Sequence, residues 1–180
     1  MSATEQQATE QSSSPELDEG FSLTEGYAPH EHRPLASYAA LTGVFGAGLG
    51  GALLALRASG RELPERLSAA DIVLIGVASH KLSRMTTKDK ATSFLRAPFT
   101  EFQGNAGHAE VDEEPRGQGV QRLIGELLVC PYCLAQWITA AMSVGLVSAP
   151  RLTRFVAAIY TELTLADFLQ LAYRAAEERT

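Results

Sequence analysis

The chain has 180 residues, 46% hydrophobic and 20% charged, with 15 lysines and arginines against 21 acids and a net charge of −6. That length suits one domain of ordinary size, and the acidic balance, with no basic face building up along the chain, argues against nucleic acid as a partner. Two cysteines at Cys130 and Cys133 cannot make the multi-bridge framework of a small secreted domain.

Residues 1–34 hold almost nothing that builds a core. Glu5, Glu10, Glu16, Asp18, Glu19, Glu25 and Glu31 face a single strong base, Arg33, amid Gln, Ser and Thr. Such a stretch buries too little apolar area to offset its ordering entropy, and it is predicted to be a disordered acidic tail. It has neither the basic start nor the apolar run of a signal peptide.

Residues 35–180 are predicted to form a helical membrane domain. The first segment, 35–57, runs without a charge until Arg57, the length a helix needs to cross about 30 Å of hydrocarbon. The second, 67–84, is interrupted by Asp71, His80 and Lys81. The third, 123–149, contains Glu126 and Gln136, and the fourth, 152–174, contains Arg154, Glu162, Asp167 and Gln170. These three would bury polar groups against one another. A soluble bundle is the competing reading, but the first segment is apolar all the way round, which water does not favour.

Within that first segment, residues 46–51 fit G-x-G-x-x-G. A dinucleotide fingerprint needs a strand before it and a second strand after its helix, and neither flank reads as one. In lipid the same glycines have a simpler use. Gly46 and Gly50 form a G-x-x-x-G pair that lets another helix approach closely, so a homo- or hetero-oligomer through the first helix is expected.

The bases set the topology. Arg84, Lys88, Lys90, Arg96, Arg116 and Arg122 fall in or beside the connection 85–122, against Arg57, Arg61 and Arg66 in the first connection and Arg151 in the last. The positive-inside rule then puts both termini and the long loop in the cytoplasm, with four crossings.

From Lys81-Leu82-Ser83-Arg84 through Lys88-Asp89-Lys90, Leu95-Arg96-Ala97-Pro98-Phe99 and Gly125-Glu126-Leu127-Leu128-Val129-Cys130-Pro131-Tyr132-Cys133 to Trp137, the chain resembles the bacterial and phage membrane-protein family catalogued as domain of unknown function 1360. The resemblance covers about residues 71–173. It implies an all-α integral membrane fold in the bacterial inner membrane: a three-helix family core, here with an extra N-terminal helix. No established activity comes with it. The family's basic element is R-L-T-R-like, and Lys-Leu-Ser-Arg keeps its charges.

Lys81 and Arg84 are expected to snorkel at a cytoplasmic helix end. Lys88, Lys90 and Arg96, near Phe94, Phe99 and Phe102, suit either an anionic leaflet or a solvated loop.

Cys-Pro-Tyr-Cys is also the active-site tetrapeptide of glutaredoxins, but only 47 residues follow Cys133, too few for that fold's remainder. Glu126, Cys130, Cys133 and Trp137 fall on one stripe if the helix is continuous, with a kink at Pro131. Three readings stay open: small apolar packers beside a kink, two ligands of a zinc site completed by His80, His108 or a second chain, and a membrane thiol–disulfide couple. Cytosolic reductants would favour free thiols. Glu162 and Asp167 are intramembrane acids, expected to mark a functional site or to pair internally with Arg154, Arg174 or a neighbouring helix. The function expected is that of a non-enzymatic membrane component acting through helix or protein contacts, needing no cofactor, with a thiol- or metal-dependent protein as the alternative.

Overall fold

The computed structural model describes residues 35–179, so the expected acidic tail lies outside the described residues. Helix α1, Leu35–Ala58, runs unbroken through all its glycines. The described residues before Gly46, from Leu35 on, are helical rather than extended, so no strand leads directly into the glycines as a dinucleotide fingerprint requires.

Helix α2, Ala69–Lys88, opens on Ser68, whose hydroxyl oxygen accepts the Asp71 N–H at 3.0 Å. That is the usual satisfaction of an orphan donor at a helix start. The helix outlasts the expected 67–84 by four residues and stops where Asp89 turns extended.

The connection expected as a loop over 85–122 is folded, and the all-α expectation is corrected there. A single 3₁₀ turn, Lys90–Thr92, leads into the short helix α3, Ser93–Arg96. Strands β1, Thr100–Ala106, and β2, Glu110–Pro115, then pair antiparallel. Their turn is closed by Ala109 at φ 61°. On β2, Val111 and Glu113 point inward while Asp112 and Glu114 are exposed, the alternation of a strand with one covered face. An acid at an inward position hides that alternation from a hydropathy reading.

The third expected helix is two. Helix α4, Gly119–Val129, and helix α5, Pro131–Ser148, meet at 85°. Pro131 therefore does more than kink: it takes the first position of a new helix, where its missing N–H costs nothing. The residue before a proline is pushed out of helical geometry, and Cys130 is extended at φ −105°, ψ 101°. Its sulfur accepts the Cys133 N–H at 3.2 Å. The continuous stripe expected from Glu126 to Trp137 does not exist, because the four positions belong to two helices.

Helix α6, Pro150–Glu177, follows a one-residue joint. It runs parallel to α2: Arg154 meets Asp71, Thr161 donates to the Leu74 carbonyl, and Lys81 meets Asp167. Helix α5 returns between them, with Met142 against Ser79 and Gly145 against Thr153. Helix α1 touches α5 through Phe45 and Trp137, whose rings meet edge-on at 5.1 Å. The shared apolar core is small: Ile75, Ala78, Met142, Leu146 and Ala157.

Ser83, Thr87, Thr153 and Thr164 are also buried, and each hydroxyl donates back to a carbonyl three or four residues earlier, that of Thr153 to Ala149 at the cap of α6. This satisfies the buried oxygens while keeping the side chains small enough for close helix approach. Outward, α6 exposes Leu152, Phe155, Leu165, Phe168 and Leu169. Helices α1 and α6 are each long and apolar enough to cross a membrane, and α4 with α5 makes a third if the bent pair counts as one. Helix α2 does not qualify alone, so the expected four spans reduce to two or three on length and composition.

Gly125 of α4 lies where a Cβ would press on the Phe99 carbonyl oxygen and stand 3.1 Å from Pro115 Cβ. Backbone cannot yield as a side-chain tip can. Gly125→Ala should cost about 1–3 kcal/mol, read as a lowered thermal midpoint in detergent, while Val120→Ala at an exposed site on the same helix should move it little.

Candidate functional site

Arg96 organises the folded connection. Its side chain is fully buried, and all five N–H donors of the guanidinium are matched. Nε and Nη2 donate to the two Glu113 carboxylate oxygens at 2.7 and 3.0 Å. Nη1 donates to the Thr86 carbonyl and to Thr92 Oγ1, both at 2.8 Å, and Nη2 to the Asp89 carbonyl at 3.0 Å. Thr100 Oγ1 sits 2.9 Å from Glu113 Oε2. Only the planar fork of arginine meets such a set. One side chain thus ties the C-terminal end of α2, the 3₁₀ turn and β2 together, and β1 joins through Thr100 on Glu113. The leaflet reading fails for Arg96, which no lipid can reach.

The neighbouring bases are also paired. Arg84 makes a two-pronged contact with Glu110, 2.8 Å on each side. Lys88 meets Asp112 at 3.2 Å, and Lys81 meets Asp167 at 2.7 Å. Lys90 is exposed, and its backbone N–H donates to the Ala109 carbonyl at 2.8 Å. The surface expected to be basic is therefore an interleaved set of charges, because β2 supplies Glu110, Asp112 and Glu113 opposite the bases.

Beneath the hairpin turn, these pairs frame a cleft of about 660 Å³ between α2, α6 and residues 107–110. His80, Lys81, Arg84 and Asp167, all legible in the sequence, line it together with Asp89, His108, Glu110 and Arg174. Arg174 Nη1 lies against the His108 imidazole, 2.9 Å from Nε2. Burial raises the Asp89 carboxyl above its ordinary 3.8, Lys81 opposes that rise, and Glu110 and Asp167 add to it. Ionising Asp89 therefore works against the fold as pH climbs from 3.8 through its raised value. Three bases face three acids here, with two imidazoles between them. The arrangement suits a polar, hydrogen-bonding ligand or segment rather than a bare anion.

The cysteine site stands apart. Cys130 caps α5, Cys133 lies in its first turn, and their sulfurs are joined as a disulfide. Their α-carbons are 5.3 Å apart, within the span a disulfide bridges. Trp137 faces Phe45 of α1 rather than Glu126. Glu126 Oε1 accepts from Arg122, and its Oε2 is buried without a partner. His80 and His108 line the cleft, and among the described residues no group of three or more potential metal ligands gathers anywhere.

The family described as Protein of unknown function (DUF1360) matches residues 74–173, more than half of the chain. The chain belongs to this family. Of the curated proteins, the UPF0713 protein YngL of Bacillus subtilis (strain 168) is 26% identical over 91 residues, 49% of this chain. That match spans 66% of YngL, a little under two thirds of its length. No solved structure matches. The DUF1360 region contains the Arg96 hub, the cysteine pair and most of the cleft; Asp71, Arg174 and the whole of α1 lie outside it.

Glu113 is the residue a sequence reading misses. It sits in an acidic run, Glu110 to Glu114, that looks uniformly solvated, and only the strand alternation marks it as inward. Glu162 is exposed on α6. Gly46 and Gly50 meet nothing within 4 Å of an added Cβ.

Removing one partner of a buried ion pair leaves the other charge uncompensated, at about 3–5 kcal/mol, whereas replacing both with apolar groups costs far less. Glu113→Leu and Arg96→Met should each sharply lower the unfolding midpoint in detergent. The double variant should lose less than the two single losses combined, a coupling measured by a double-mutant cycle.

Proposed function

We propose that the protein is a multi-pass component of the bacterial inner (cell) membrane, without chemistry at its cleft. It presents the capped cleft at the cytoplasmic surface for contact with a partner. One observation carries the reading. Among the described residues, hydroxyls and α2–α6 ion pairs accompany only a small apolar core between α2, α5 and α6, while Leu152, Phe155, Leu165, Phe168 and Leu169 face outward on α6. Water does not favour so apolar an outer face, and a bilayer tolerates the polar groups between these helices because the buried hydroxyls and the ion pairs of α2 and α6 find partners.

The helix ends support four crossings rather than two or three. Helix α2 has 20 residues, about 30 Å at 1.5 Å per residue, which matches the hydrocarbon thickness. It fails alone because of Asp71, Lys81 and Arg84; α6 supplies Arg154 and Asp167 opposite the first two, and β2 supplies Glu110 opposite the third. Pairing across helices is how charged side chains are carried at that depth. Helix α5 would descend from the surface, and α4, bent from it by 85°, would lie along that surface beneath the hairpin.

The hairpin end carries Lys88, Lys90, Arg96, Arg116 and Arg122, against Arg57, Arg61, Arg66 and Arg151 at the far end. The bias supports a cytoplasmic hairpin and cytoplasmic termini. The open Gly46–Gly50 face of α1 is assigned to a second helix, from another copy or another membrane protein.

The protein should resist carbonate extraction, and reporter fusions at Asn105 in β1 and at the C-terminus should both read cytoplasmic. Release into the carbonate supernatant would end the membrane reading. A periplasmic signal at Asn105 with a cytoplasmic C-terminus would end the four-crossing topology alone.

A further inference from the structure

The break between α4 and α5 does something the fold itself does not require. A hinge of this kind needs Pro131 and an extended residue before it; it does not need sulfur on both sides. Here Cys130 occupies the cap position, and its sulfur accepts the Cys133 N–H at 3.2 Å. The two sulfurs are bonded to each other, and no other cysteine exists in the chain. Pro131, with no N–H, leaves the Cys133 amide among the first free donors of the helix. Those donors and the aligned peptides of an 18-residue helix favour negative charge at the cap sulfur.

Access is unequal. Cys133 is exposed and Cys130 is half-buried, while Tyr132 between them is 89% exposed. A thiolate approaching from solvent therefore reaches the Cys133 sulfur first, and the sulfur it displaces is the one the helix end stabilises. The rate of exchange depends on which sulfur can be reached and on how well the other one leaves. Both factors point the same way here.

We infer that Cys130 and Cys133 form a two-electron dithiol–disulfide couple that oxidises a dithiol of a partner protein. One partner thiolate attacks the Cys133 sulfur, the Cys130–Cys133 bond breaks, and Cys130 leaves as a thiolate held by the Cys133 N–H. The partner's second thiolate attacks its own sulfur in the mixed disulfide and releases Cys133 as a thiolate. The partner ends as a disulfide, this protein as a dithiol, and the two protons lost by the partner balance those taken up by Cys130 and Cys133. The couple is independent of the cleft and of the membrane topology. A cytosolic disulfide in an ordinary organism is typically transient and catalytic or redox-sensing, so a cytoplasmic location of this one is consistent with turnover.

The test uses the full chain in detergent. The oxidised protein is exposed to reduced glutathione, quenched with N-ethylmaleimide and mapped by peptide mass spectrometry. Glutathione should be found on Cys133 and maleimide on Cys130, with at least about a tenfold preference. In the fully reduced protein, limiting iodoacetamide at pH 7 should label Cys130 about tenfold faster than Cys133, and the preference should fade at pH 10, where both are thiolates. Neither measurement needs a variant that has to fold. Equal alkylation at pH 7, glutathione on Cys130, or one equivalent of zinc retained by the reduced pair would each overturn the inference.

Discussion

The buried contact between Arg96 and Glu113 is the constraint on which the hairpin, the cleft and the end of α2 depend. A fully desolvated guanidinium is tolerable only if its charge is matched and every N–H finds an acceptor. Here five donors find five acceptors, drawn from three backbone or side-chain oxygens of residues 86–92 and the two carboxylate oxygens of Glu113. The arrangement converts an acidic, hydrophilic connection into a structured cap. Its contribution is as much geometric as energetic, since a buried pair adds little net stability over apolar packing yet tolerates few alternative geometries.

From that hub the rest of the cap follows. With β2 held in place, Glu110 reaches Arg84 and Asp112 reaches Lys88, and the hairpin turn settles over the ends of α2 and α6. Gln121 and Arg116 both donate to the Pro98 carbonyl, and the Arg116 amide donates to Phe99. These bonds close the segment from Arg96 to Phe99 against α4. The same carbonyl of Phe99 leaves room at Gly125 for nothing larger than hydrogen. The helices below use another device, hydroxyls turned back on their own backbone, so that polar residues line the joints without unpaired groups.

Much of this was legible in the sequence, and the failures have physical causes. Helix α1 reads directly, because 22 uncharged residues closed by a base admit few structures. The family resemblance, the cysteine site and the pairing of Asp167 with a neighbouring helix are likewise readable from motif and charge. The hairpin is not. Its inward positions are Val111 and Glu113, so hydrophobic alternation is halved, and the base that justifies the buried acid lies 17 residues earlier in the chain. Pro131 was legible as a disturbance, but periodicity continues across it, and nothing local distinguishes a kink from an 85° break. Helix α2 shows the opposite problem: its charges look incompatible with a span until α6 supplies partners for Asp71 and Lys81 and β2 for Arg84 and Lys88.

Hydrogen exchange of the detergent-solubilised protein, resolved over peptides between residues 85 and 122, tests the role of the hub most directly. Amides of both strands and of Lys90 should be strongly protected, and Glu113→Gln should abolish that protection while leaving the middle of α6 unchanged. Exchange of residues 100–115 at the rate of an unstructured loop in the unaltered protein would contradict the account.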